Sequence, residues 1–455
     1  MIATQPPLAA QTAIIDVAEI IEQQPPGRIL LRLVPIAWLV TFFDGFDMNS
    51  IAFVAPYLAS SYSFDKPALS HIFAAGGAGT LLGGILFGAL GDRIGRRRAI
   101  IAATTLFGIL TLLMAASDQF WELLLLRFLN GFALGGALPL IWALSVEYVP
   151  TAYRATAVTL VMLGYGIGVS TAGPISVALI PHFGWQSVFV FGGVASLICA
   201  AVLLAVLPES LRYLATRAGG TQRLGDIARR LSRHNHSAGT QYIFSGVVTG
   251  DRRSWGPAPL FEGQARRITP LLWLGYIASS VTTFFFVTWG PTVFEAVGLS
   301  RTTAAWTMSL NSLAGAVGGI ALMRVTDRLG PISLAFMPAA AVPLLLTVGF
   351  AHVSETVFVI LMGVLAILLG GSHYGIISIS GTFYPTAHRA LGTGWMSGVG
   401  KVGSILAPWL GGLLLTSGLA APRVFAILAF CPAIFATCGF ILGRLERTGL
   451  ARAAV

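Results

Sequence analysis

The chain has 455 residues, of which 55% are hydrophobic and only 10% charged, with a mean hydropathy of +0.80. A soluble globular protein carries roughly 25% charged residues, so a chain of this length could not clothe a water-facing surface, and its main solvent is lipid. The net charge of +10 would suggest nucleic acid in a soluble protein; here the basic residues sit where membrane topology puts them, and no nucleic-acid partner is expected.

Residues 1–31 read as a polar N-terminal tail. They carry Asp16, Glu19 and Glu22 and lack the basic start and apolar core of a signal peptide. Residues 13–21 predict a short amphipathic helix, ended by Pro25-Pro26-Gly27. Apolar runs follow, each near the ~20 residues that cross a bilayer. In the first half they lie near 33–58, 68–90, 99–116, 120–146, 156–180 and 188–207. In the second they lie near 270–294, 304–325, 333–351, 357–381, 391–415 and 424–442. The pattern predicts an all-α membrane protein of twelve transmembrane helices. A six-helix bundle over 32–207 joins a second over 269–443 through a polar linker, 208–268, and a tail, 444–455, closes the chain.

Nearly all of the 28 lysines and arginines fall on one set of gaps between runs. Only Lys66, Arg301 and Arg423 fall on the other set, and Arg127 and Lys401 lie inside apolar runs. Basic loops stay on the cytoplasmic side, so both termini are expected there. Two motifs recur at one constant offset. Gly91-Asp92-Arg93-Ile94-Gly95 returns as Thr326-Asp327-Arg328-Leu329-Gly330, and Pro150-Thr151-Ala152-Tyr153-Arg154-Ala155 as Pro385-Thr386-Ala387-His388-Arg389-Ala390. An even number of runs separates the copies, so the halves form parallel repeats. Carriers built this way bind substrate near the midplane, between the halves.

The segment from Gly88 through Asp92-Arg93-Ile94-Gly95-Arg96-Arg97 resembles the loop signature of the major facilitator superfamily. Glu147-Tyr148-Val149-Pro150 with Arg154, and Pro208-Glu209-Ser210, resemble further signatures of its sugar-porter side. Phe43-Asp44-Gly45-Phe46-Asp47 is similar to the aspartate-glycine-x-aspartate motif of the aromatic acid:proton symporter family, and Gly398 through Lys401 to Ile405 resembles its basic motif in the eleventh span. That family more often has arginine where this chain has Lys401. The resemblance runs from about residue 14 to the end of the last span. It implies a carrier of benzoate, hydroxybenzoates, protocatechuate, vanillate or related acids, in a bacterial inner membrane. Gly173-Pro174 is followed by Ile-Ser-Val-Ala rather than by the two glycines usual in drug antiporters, which disfavours an efflux pump.

An ionisable residue inside a bilayer costs at least ~2.5–3.5 kcal/mol, which makes it a functional candidate. Four qualify: Asp44, Asp47, Arg127 and Lys401. At ~1.5 Å rise per residue, Asp44 and Lys401 both fall roughly 15 Å from the inner face, and Asp47 and Arg127 roughly 18–20 Å from it. Asp44 and Asp47, at i and i+3, share a helix face, and two carboxylates in a medium of low dielectric cannot both ionise cheaply. The expected roles are proton exchange at Asp47 modulated by Arg127, a substrate counter-ion at Lys401, and coupling of the two through Asp44. The competing reading is two buried ion pairs that only fix helix packing.

A flat aromatic acid needs stacking surfaces and a few polar groups. Phe46, Trp289, Asn311, His373 and Tyr374 are the leading candidates, with Phe42, Trp142, Tyr165 and Trp395 behind them. Gly370-Gly371-Ser372 beside His373 permits close approach. The loop charges Asp92, Arg93, Arg96, Arg97, Glu147 and Arg154 are expected to form a cytoplasmic network that holds one conformation. Cys199, Cys431 and Cys438 suggest neither a disulfide framework nor a zinc site. No phosphate loop, ATP-binding domain or nucleophile triad is present in the sequence, so the chain reads as a monomeric, ion-driven carrier with no cofactor and no enzymatic activity. The alternatives are a carrier of the same fold for sugars, other organic anions or drugs, and a non-transporting sensor, which would need no proton path.

Overall fold

In hydrocarbon every backbone N–H and C=O must find its partner inside the segment, so long apolar runs must be helices. The computed structural model describes residues 14–24, 27–62, 64–217, 220–231, 241–244, 256–263, 265–329, 332–351, 353–380, 383–384 and 388–447. The first six runs become α1 (Gly27–Tyr62), α2 (Lys66–Ile94), α3 (Arg96–Ala116), α4 (Phe120–Glu147), α5 (Arg154–Phe183) and α6 (Gln186–Val206). The second six become α7 (Ala265–Ala296), α8 (Arg301–Leu329), α9 (Ser333–Phe350), α10 (Glu355–Ser380), α11 (Arg389–Thr416) and α12, which is in two pieces, Ala421–Leu428 and Phe430–Arg447. Eleven of these are long and apolar enough to cross a membrane. The remaining one, α1, has 36 residues and carries Asp44 and Asp47. Prolines 25 and 26 and the repeat copies at 330–331 and 385–387 lie outside the described residues, as do the side chains of Asp327, Arg328 and Arg389.

Packing repeats between the halves. In the first, α1 lies on α5 and α2 on α4; in the second, α7 lies on α11 and α8 on α10. Glycines make these contacts close, as expected where lipid offers no competing hydrophobic drive. A Cβ on Gly79 would stand 2.0 Å from the Phe128 carbonyl oxygen, and one on Gly131 2.2 Å from that of Gly76. The α8–α10 pair repeats the device, with Gly318 facing Ile367 and Gly370 facing Gly315.

The two ends of the bundle differ. Away from the linker a single apolar cluster spans both halves, from Val54 and Ile72 to Phe294 and Phe425. There Lys66 Nζ donates to the Leu415 carbonyl at 2.8 Å, and the Arg301 guanidinium lies 4.7 Å from the Tyr57 ring centre. At the linker end the halves keep separate cores, one around Leu140 and Leu203, the other around Leu272 and Leu442. The halves are therefore clasped at the end opposite the linker.

The tail differs from the helix expected over 13–21. Ile14–Asp16 is a strand, β1, pairing in parallel with a strand of the linker, β2 (Gln241–Ile243), and only Val17–Glu22 is helical. The Asp16 carboxylate accepts from Ala18 N at 2.9 Å, and this cap starts the helix there, leaving the preceding residues extended. Val17 and Ile21 are buried in the first half's core. Glu22 then accepts from Thr151 N at 3.0 Å and from its hydroxyl, and Arg154 lies 3.7 Å away.

Gly79→Val should destabilise the protein by about 1–3 kcal/mol through overpacking, whereas Gly88→Val, with nothing within 4 Å of its Cβ position, should be neutral. Melting curves of the two variants in detergent compare them directly. The hydrogen bonds from Thr151 hold the Glu22 carboxyl below its ordinary value, with Arg154 adding to them. A group whose folded pKa is depressed supports docking above its free pKa and loses that support as pH falls through the folded value. Proteolysis of the tail should accelerate on acidification below about pH 4.5, the ordinary value for the group. Glu22→Gln should flatten that dependence.

Candidate functional site

The motif Asp44-Gly45-Phe46-Asp47 is shaped by its glycine. A Cβ on Gly45 would lie 2.2 Å from the Tyr165 carbonyl oxygen, so α1 and α5 touch there through their backbones. This sends the two carboxylates to different neighbours. Asp47, 1% exposed, reaches α3 and α4: its Oδ2 is 3.2 Å from Arg127 Nη1, and its Oδ1 accepts from Thr111 Oγ1 at 2.9 Å. Arg127 Nη2 also donates to the Met48 carbonyl at 3.3 Å, and Nη1 lies 3.5 Å from Asn130 Oδ1. Asn130 in turn donates to Thr111 Oγ1 at 2.8 Å. The Thr111 hydroxyl has one proton and two acceptors at 2.9 Å, Asp47 Oδ1 and the Phe107 carbonyl. Gly76 makes space for the guanidinium, since a Cβ there would be 3.0 Å from Arg127 Nε.

Asp44 has other neighbours. It is 4% exposed, and its Oδ2 is buried with no hydrogen bond. The charge of Lys401 on α11 acts on it, yet no ion pair closes between them within 4.0 Å. The depth match thus places Asp44 and Lys401 within electrostatic reach but not in contact. Tyr165 lines the cavity, and Asp44 does not.

That cavity, of about 220 Å³, lies between the halves. Met48 and Asn49 of α1 and Tyr165 and Val169 of α5 form one wall. Thr283 and Phe284 of α7, Met308, Asn311 and Ser312 of α8, and Met362, His373 and Tyr374 of α10 form the other. Its lining contains no acidic, lysine or arginine side chain among the described residues. Of the predicted aromatic site, Asn311, His373 and Tyr374 are on the wall, and Phe46 and Trp289 are not. Phe46 packs on Phe191 of α6, with ring centres 5.4 Å apart. Trp289 is fully buried at the clasped end, 5.4 Å from Phe73, and donates to the Pro408 carbonyl at 3.0 Å. Phe42 stacks on Trp38 and Trp395 on Trp273, and neither lines the cavity, nor does Trp142.

The loop charges form two local groups within the first half. Arg96 pairs with Glu147, whose other oxygen accepts from Ser210 Oγ at 2.7 Å and Leu211 N at 2.9 Å. Glu209 accepts from Arg97 N at 3.0 Å, and Arg97 Nη2 donates to the Leu204 carbonyl at 2.6 Å. Gly95, at φ 99°, occupies the left-handed region that favours glycine, and a Cβ there would meet the Glu209 carboxylate at 2.6 Å. Arg154 pairs with Glu22 of the tail. The carbonyl of Arg93 receives Arg217, while the side chains of Asp92 and Arg93 make no ion pair among the described residues.

Sequence reasoning missed Thr111, Asn130 and Ser279 as site members. Asn130 could have been found, since it stands three residues after Arg127 on one helix face. Thr111 and Ser279 are small hydroxyls in apolar runs, with no signal of their own.

A model of the Major Facilitator Superfamily matches residues 37–342 and 272–453. Among curated relatives, the 4-hydroxybenzoate transporter PcaK of Pseudomonas aeruginosa is 32% identical, over 94% of this chain and 95% of that one. The gallate transporter of Pseudomonas putida is 31% identical over 93% of each. Among solved structures, a bacterial homologue of the human lysosomal transporter Spinster, in an inward-facing and unoccupied conformation, superposes with a TM-score of 0.67 at 16% identity, covering 93% of this chain and 99% of that one.

Proposed function

The chain belongs to the Major Facilitator Superfamily, and from that premise we propose that it is a proton-coupled importer of a small aromatic carboxylate, acting by alternating access in a bacterial inner membrane. The observation that carries this reading is an uncharged, aromatic-walled cavity between the halves, set beside a buried acid–base cluster on the same α1 helix. A cavity of about 150 Å³ suffices for benzene. At about 220 Å³ there is room for a substituted ring. The relatives named for 4-hydroxybenzoate and gallate support the same substrate class.

In this reading Asp47 carries the proton. Protonation releases Arg127, which keeps the Met48 carbonyl and Asn130 as acceptors, so the buried guanidinium is not stranded. The Thr111 proton can turn to the Phe107 carbonyl when Asp47 becomes neutral. Lys401 is the counter-ion for the substrate carboxylate, and Asp44, within its field, senses whether that carboxylate has arrived. One proton moving with one monoanion is electroneutral, so uptake follows the pH gradient. With the arginine-rich loops in the cytoplasm, the clasped end faces outward and the conformation is inward-facing. The charge groups around Glu147 and Glu209 then brace the cytoplasmic helix ends of the first half.

Counterflow in liposomes, with aromatic acids set against sugars and nucleosides, tests the substrate class; exchange of sugars alone would sink it. Asp47→Asn should abolish uphill uptake driven by a pH gradient and spare part of the exchange. Undiminished accumulation would remove Asp47 from the proton path. Lys401→Gln should weaken binding of the acid more than tenfold, since a charge-assisted hydrogen bond contributes about 1.5–3 kcal/mol. The amide of the same acid should bind the native protein poorly and lose little more in the variant. Equal discrimination between acid and amide in both proteins would leave Lys401 as a counter-charge of Asp44 only.

A further inference from the structure

His373 is 7% exposed, on the cavity wall. Its Nδ1 lies 3.2 Å from Ser279 Oγ. Among the described residues the Ser279 hydroxyl has no other hydrogen-bond partner, and the residue is 5% exposed. If Nδ1 carried the ring proton, the serine proton would be buried without an acceptor, at the cost of an unmade hydrogen bond. The serine therefore donates to Nδ1, and the imidazole is the neutral tautomer with its proton on Nε2. Tyr276, Phe284 and Tyr374 surround the ring, with centres 5.2, 6.0 and 5.8 Å away. The glycine contacts of Gly370 and Gly371 with α8 fix the height of the α10 turn that carries it. Nε2–H is thus a positioned neutral donor with no partner among the described residues. One helical turn from Ser279, on the same face of α7, Thr283 Oγ1 is also buried without a hydrogen bond, and Thr283 lines the same cavity.

A neutral donor and an idle hydroxyl on an uncharged wall supply no counter-charge for a carboxylate, and Lys401 lies outside the lining. They match a phenolic hydroxyl, which both accepts and donates. We propose that His373 selects aromatic acids that bear a ring hydroxyl, its Nε2–H donating to the ring oxygen while that hydroxyl donates to Thr283 Oγ1. This rests on the cavity being the aromatic-acid site. A site built to bond a hydroxyl rejects the analogue lacking it, because its own buried groups are then left unpaired.

The test is competition binding in detergent with 4-hydroxybenzoate, 3-hydroxybenzoate, benzoate and 4-methylbenzoate, the last filling the hydroxyl's volume without its hydrogen bonds. The native protein should prefer the better hydroxybenzoate over benzoate and 4-methylbenzoate by at least about tenfold, about 1.4 kcal/mol. His373→Phe should erase that preference and leave benzoate affinity within about threefold, which also shows that the variant is folded. His373→Gln, whose amide nitrogen can stand near the Nε2 position, should retain part of the preference. His373→Asn, which places its amide near Nδ1, should not. A preference that survives in His373→Phe, or a uniform loss for all four acids, overturns the assignment of His373 alone. A native protein that binds benzoate and the hydroxybenzoates equally also overturns only this inference. A native protein that binds none of the four overturns the proposed function itself.

Discussion

The need to answer the charge of a buried guanidinium organises the first half of the molecule, although its Nε makes no hydrogen bond among the described residues. Arg127 is 2% exposed, in a helix whose surroundings are hydrocarbon and protein, where an unpaired charge is expensive. Its answer comes from three helices at once: the Asp47 carboxylate and Met48 carbonyl of α1, the Asn130 amide of its own α4, and the space left by Gly76 on α2. Thr111 of α3 completes the set by bonding the other oxygen of Asp47. Removing one member leaves another buried group unpaired, which is far costlier than replacing the whole set with apolar residues. The geometry thus holds together as a unit.

The glycine-lined contacts supply the complementary property. Within each half, helix pairs meet backbone to backbone, as at Gly79 and Gly131 between α2 and α4 and at Gly318 and Gly370 between α8 and α10. Such surfaces have no long side chains to rearrange, which suits each half to move as a body. Between the halves the contact is unequal along the bundle. Trp289 and Phe73 seal one end, with Lys66 answering a terminal carbonyl of α11, while the cores at the other end stay apart. A carrier that opens alternately needs this combination of rigid bodies and a separable seam.

The intramembrane charges and the cavity wall are kept apart. The cavity wall is uncharged and partly aromatic, while Asp44 and Lys401 lie outside its lining. Asp44 and Lys401 close no ion pair with each other within 4.0 Å.

The sequence by itself determined the solvent, the span count, the parallel repeat and the identity of the intramembrane charges. Each of these follows from a one-dimensional quantity: apolar run length, the sidedness of arginine, or a motif returning at one offset. Depth along a helix is also one-dimensional, and it brought Asp47 level with Arg127 and Asp44 level with Lys401. Azimuth is not. Whether a side chain faces the cavity, a neighbouring helix or the clasped end depends on how each helix is rotated against its neighbours, and close glycine contacts set that rotation. This is why Phe46, next to Asp47 in the chain, ends against Phe191, and Trp289 ends in the seal, while Asn311, His373 and Tyr374 reach the wall. It is also why Thr111 and Ser279, ordinary hydroxyls in apolar runs, become partners of Asp47 and His373 only when three-dimensional packing brings α3 to α1 and α7 to α10.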